Sequence, residues 1–179
     1  FHQPSNEDLV ERIVIWIPPL LGALTVLVLF FLAKRTFGFA VAVVSSLILS
    51  VLSAHAWYSQ IGFVDHHAAV ALFSTLLLAS AMDLFSELSI GRDNRTNIFA
   101  KAALMAIMAG VILLLWPGAI LYVVMVQIGL LLLLLTRATR EEARRVARVL
   151  ALANAISFAI IFPFSAFNTW PQWSEFSSV

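Results

Sequence analysis

Ser59 to Leu72 reads SQIGFVDHHAAVAL, and within it Asp65, His66 and His67 are three consecutive side chains able to bind a divalent ion. Each has a plainer reading. Asp65 precedes a helix-forming run and by itself is an N-cap, accepting from the backbone N–H of His67 or Ala68. A histidine at the end of an apolar segment is commonly a ring lodged in the headgroup layer. The spacing supplies the alternative. Asp65 and His67 stand at i and i+2, so on an extended approach to a helix both side chains point the same way, and a carboxylate and an imidazole can share one ion. His66 is an additional candidate ligand. The helix N-terminus beneath them also favours an anion such as phosphate beside that ion.

The elements that must position this cluster are written in an unusually apolar chain. Of 179 residues, 61% are hydrophobic and 12% charged, which excludes an ordinary soluble domain and assigns the chain to a lipid bilayer. With no Cys there is neither a disulfide framework nor a thiolate metal site. The chain opens on Phe1 without a Met or a charged leader, which reads as the start of a fragment of a larger protein.

A helix needs about 20 mostly apolar residues to cross a core of roughly 30 Å. Six segments qualify: Ile13 to Ala33, Phe37 to His55, His66 to Leu88, Ile98 to Leu115, Gly118 to Thr136 and Val146 to Phe164. The apolar run from Ile98 to Leu135 is too long for one span, and WPGA must divide it, because Pro117 cannot continue a helix ladder and suits a first turn. The expected fold is all-α, a polytopic transmembrane bundle of about six spans forming a single transmembrane domain over residues 1–179.

Charge orients the set, since Lys and Arg collect in cytoplasmic connections. Lys34 and Arg35, then Arg92, Arg95 and Lys101, then Arg137, Arg140, Arg144, Arg145 and Arg148 all fall on one side; Arg12 alone does not. Trp16, Trp57, Trp116, Trp170 and Trp173 fall on the other, at span ends where indoles anchor. Both termini and GFVDHH are therefore expected outside, on the periplasmic face of a prokaryotic inner membrane. Asn94, in an NRT acceptor pattern, lies inside and reads as a chance match. Asp83 and Glu87, one turn apart near an inner span end, read as partners for the basic loops, Asn154 as an interhelical hydrogen-bonding residue, and Leu130 to Leu135 as lipid-facing.

Three landmarks carry a resemblance. Pro18, Pro19 and Gly22 open one span, Ser59, Gly62 and Asp65 form a Ser-X-X-Gly-X-X-Asp block, and Trp116 with Gly118 marks a later turn. The chain resembles the catalytic subunit family of oligosaccharyltransferases, most closely its archaeal-type single-subunit members, over most of its length; GFVDHH is the specific part. The family's metal motif, an Asp followed two residues later by Asp, Glu or His, falls on Asp65 and His67. Tyr58 stands where the family usually carries an Arg, and Val70 where archaeal-type members often have an acid.

The resemblance implies a membrane glycosyltransferase that moves an oligosaccharide from a polyprenyl phosphate or pyrophosphate carrier to an asparagine of an acceptor polypeptide, with Asp65 and His67 holding Mn²⁺ or Mg²⁺ as Lewis acid and template. The family's first metal aspartate would lie before Phe1, its soluble domain after Val179, and Glu175 is the one residue here of the right side and character for acceptor binding. This chain alone is then an incomplete enzyme, and no nucleic-acid partner is expected. Two other classes fit some of the residues: a non-enzymatic membrane subunit holding haem or a transition metal through His55, His66 and His67, and a transporter or structural module in which DHH is only cap and interface.

Overall fold

The computed structural model describes residues 6–90, 95–136 and 139–166. Every regular element among them is helical: α1 (Asn6–Val14), α2 (Ile17–Phe37), α3 (Phe39–Val51), α4 (Ser53–Tyr58), α5 (His66–Ile90), α6 (Arg95–Leu115), a 3-10 turn at Pro117–Ala119, α7 (Ile120–Leu135) and α8 (Arg140–Ala166). Five stretches are long and apolar enough to cross a membrane: Val10–Phe37, His66–Ser89, Thr96–Leu115, Pro117–Leu135 and Arg140–Ala166. The all-α, polytopic reading is thus borne out.

The second expected span differs. It is not one helix from Phe37 to His55: α3 stops at Val51, Leu52 is extended (φ −64°, ψ 122°), and α4 begins at Ser53. Thirteen residues of helix measure about 20 Å, short of a bilayer core of roughly 30 Å. Local chemistry accounts for the interruption. Ser50 Oγ bonds the Leu47 carbonyl at 2.8 Å and competes with the ladder, and β-branched Val51 crowds the same turn. The division between the fourth and fifth spans does fall at WPGA, where Trp116 is extended (φ −158°, ψ 117°) and Pro117 opens the next turn. Gly118 is required there because a Cβ would collide with the Trp116 ring.

The chain divides into two compact units, residues 1–79 and 80–179. In the first, α2 packs on α3 and α4 packs on both. The buried positions of α2 are Pro18, Gly22, Thr25 and Ala33, and those of α3 are Ala42 and Ser46, while Leu20, Leu27 and Phe31 face outward. Small residues inside and large apolar ones outside are the inverse of a soluble core; helices in lipid associate by close approach, not by hiding leucine from water.

In the second unit α8 packs on α6 and α7. Ile98, Ala102, Met105, Ala109 and Ile112 make the buried stripe of α6, facing Val146, Val149 and Ala153 of α8. Ser157 donates across to the Ala106 carbonyl at 3.0 Å. Asn154 acts between helices as expected, its Oδ1 accepting from Gln127 Nε2 at 3.3 Å. Glu87 meets Lys101 at 2.7 Å, the pairing with a basic residue that its place suggested. Leu131, Leu132 and Leu135 are exposed as expected, but Leu130 is buried in this unit. Asn94, Trp170 and Trp173 lie outside the described residues.

Candidate metal-binding site

The site loop is fixed before any ligand residue is reached. α4 ends as Ser59 turns its N–H and its Oγ onto the His55 carbonyl, at 3.1 and 2.6 Å. A turn follows in which Phe63 N–H donates to the Gln60 carbonyl at 3.3 Å and Gly62 adopts φ +82°, a conformation that costs a residue with a Cβ about 1–2 kcal/mol. Gly62 N–H in turn donates to the Ile15 carbonyl at 3.1 Å, tying the loop to the α1–α2 junction. On the α2 side, Gly22 lies so close to Ser59 that an added Cβ would stand 2.9 Å from Ser59 Oγ. The Pro18–Gly22 block and the Ser59–Asp65 block, some 40 residues apart in sequence, are therefore one contact.

Phe63 then accepts from Asp65 N–H at 3.0 Å, a three-residue turn that delivers Asp65 to the head of α5. Both of its carboxylate oxygens make contacts and keep further acceptor capacity. Oδ1 lies 2.6 Å from both the His66 N–H and His66 Nδ1, and Oδ2 lies 2.7 Å from His67 Nδ1. The expected cap is thus present in altered form, made to the first helical N–H and not to that of His67 or Ala68. The two imidazoles lie 4.3 Å apart, and His67 stacks on Tyr58 at 4.3 Å with the rings 9° from parallel. Phe63 packs edge-on to Tyr58 at 5.6 Å and beside Trp57 at 6.0 Å.

Burial raises the Asp65 carboxyl, but the hydrogen bond with His67, the His66 N–H and the charges of both imidazoles outweigh it and hold the group below its ordinary value. An ionised carboxylate with two imidazoles, all donor atoms within 4.8 Å of one another, is a set that suits a divalent ion of the Mg²⁺ to Zn²⁺ range. The side chains remain between 32% and 42% exposed, which leaves the cluster open to a ligand from outside.

Asp65 and His67, the pair at i and i+2, lie together, and His66 joins them in the same cluster. His55 lies on α4, outside this cluster. Glu175 lies outside the described residues. Tyr58 is the neighbour that sequence reasoning missed as a contact: it precedes Asp65 by seven residues, and only the turn at Gly62 folds it back onto His67.

Among curated proteins and among solved structures no significant match is found. A family model described as "Oligosaccharyl transferase STT3, N-terminal" matches residues 8–176. That range holds every element described above except the first residues of α1, including the Asp65 cluster and both glycine contacts, and the chain accordingly belongs to the STT3 oligosaccharyl transferase family.

Proposed function

We propose that this chain is the membrane-embedded part of an enzyme that transfers an oligosaccharide from a polyprenyl phosphate or pyrophosphate carrier to an asparagine of an acceptor polypeptide. The observation that carries the reading is the Asp65–His66–His67 cluster at the head of an apolar helix, within a chain of this family. Asp65 and His67 would hold a divalent ion, Mn²⁺ or Mg²⁺. When bound, such an ion supplies Lewis-acid stabilisation of the departing carrier phosphate.

The chain's own residues account for the rest. Asp65, ionised well into acid, keeps its negative charge at the cluster, and its two oxygens hold both imidazoles within reach. The first turn of α5 presents a helix N-terminus to the same place, an environment that favours the phosphate of a donor. The exposed apolar side chains of α3, among them Val44, Leu47, Ile48 and Val51, offer lipid-like surface for an isoprenoid tail. The basic connections and the tryptophan-bearing ends support a place for the cluster on the external, periplasmic face of a prokaryotic inner membrane, with α3 and α4 together making the second crossing, both termini outside and residues 1–179 acting as one transmembrane domain.

The test is sugar transfer from a lipid-linked donor to an asparagine-containing peptide, measured with the full-length protein and added Mn²⁺. Asp65→Ala and His67→Ala should each abolish it. Transfer at the unaltered rate in either variant would sink the proposal.

A further inference from the structure

We infer that Tyr58 is a positioning residue for His67, setting the plane of its imidazole. The inference rests on the proposed role of His67 as a metal ligand. A histidine side chain has two rotatable bonds. In this chain Asp65 Oδ2 holds Nδ1 at 2.7 Å, the His66 ring meets the imidazole tilted by 32°, and the Tyr58 ring alone lies parallel to it, 9° off and 4.3 Å away. A carboxylate bond alone leaves the ring free to swing about the Nδ1 contact; a parallel aromatic face removes that swing.

Tyr58 is itself held. It is the last residue of α4, its ring is met edge-on by Phe63 at 5.6 Å, and Phe63 is backed by Trp57 at 6.0 Å. Phe63 reaches that place because Gly62 turns the backbone through φ +82° and is pinned to the Ile15 carbonyl. The chain of rings therefore runs from the loop anchor to the ligand residue. Partners that orient a ligating histidine change metal affinity by about 10- to 100-fold when removed. By holding the ring in that plane, the Tyr58 face also keeps Nδ1 against the Asp65 carboxylate and so keeps one tautomer. With Nδ1–H donated to the carboxylate, Nε2 carries the lone pair.

The experiment uses the full-length protein in detergent with Tyr58→Phe, which keeps the stacking face, and Tyr58→Leu, which removes it. Mn²⁺ affinity is read by electron paramagnetic resonance, and the His67 tautomer of the metal-free protein by ¹⁵N NMR at a pH where imidazoles are neutral. Tyr58→Leu should weaken Mn²⁺ binding about tenfold and mix the tautomers, while Tyr58→Phe should match the unaltered protein in both. Unchanged affinity and a single tautomer in Tyr58→Leu would overturn the inference, as would an equal loss in Tyr58→Phe. If the unaltered protein binds no Mn²⁺, the metal reading fails by itself, and the tautomer comparison alone decides for or against Tyr58.

Discussion

Gly22 on α2 and Ser59 at the end of α4 are in such close contact that the glycine cannot carry a side chain without displacing its neighbour: a methyl group there would collide with Ser59 Cβ. Gly22→Ala must therefore push the site loop away from α2, at a cost of about 1–3 kcal/mol. Ser59→Gly in the same chain removes the atom that is struck and should recover much of that loss. Thermal unfolding of the two single variants and the double variant checks the coupling; additive losses would contradict the contact.

Metal should stabilise the fold through the cluster. At about one hundred times its Kd, a ligand that binds only the folded state adds about 2.7 kcal/mol. Mn²⁺ is expected to raise the melting temperature of the unaltered protein and to leave Asp65→Ala unmoved. A protein in which DHH is only a helix cap would show no ion dependence in either.

The pH dependence has a definite sign. The Asp65 carboxyl sits below its ordinary value of 3.8 in the folded chain, so the unfolded chain takes up that proton first as pH falls. Its contribution to stability is then whole above the ordinary value and is lost as pH drops through the lower one. The gap in melting temperature between the unaltered protein and Asp65→Asn should hold undiminished from neutral pH down to about 4.5 and close only below that, near the ordinary carboxyl range. A gap already gone at about pH 5.5 would contradict the assignment.

The Glu87–Lys101 pair, 2.7 Å apart and only 13% and 23% exposed, should be costly to break from one side. Lys101→Met removes a cationic partner of Glu87 in a poorly hydrated place and is expected to cost about 1–3 kcal/mol, whereas Lys101→Met with Glu87→Leu should cost less than either change alone. Denaturation of the three variants in detergent measures it.

What could be read in the sequence follows from the range of the forces involved. The break at Pro117 was legible because a missing N–H acts within one turn, and the Asp65 cluster because its three members are neighbours in the chain. Glu87 was legible as one half of an ion pair, its charge being unaffordable in lipid without a partner. The interruption at Leu52 was not, since neither Gly nor Pro marks it and Ser50 with Val51 acts there instead. The stack of Tyr58 on His67 depends on the left-handed turn at Gly62, and the contact of Gly22 with Ser59 on the packing of helices some 40 residues apart, so neither leaves a local trace.

A cluster that offers one carboxylate and two imidazoles is a poor judge of ions. Affinity for mixed oxygen and nitrogen donors climbs from Mn²⁺ through Fe²⁺, Co²⁺ and Ni²⁺ to Cu²⁺, with Zn²⁺ also above Mn²⁺. Nothing in such a donor set rejects the tighter binders, so which ion it would hold is decided by what the surrounding compartment supplies. Trace zinc or copper would then be a competitive poison, and nickel carried over from a purification resin would masquerade as a loss of activity until chelated away.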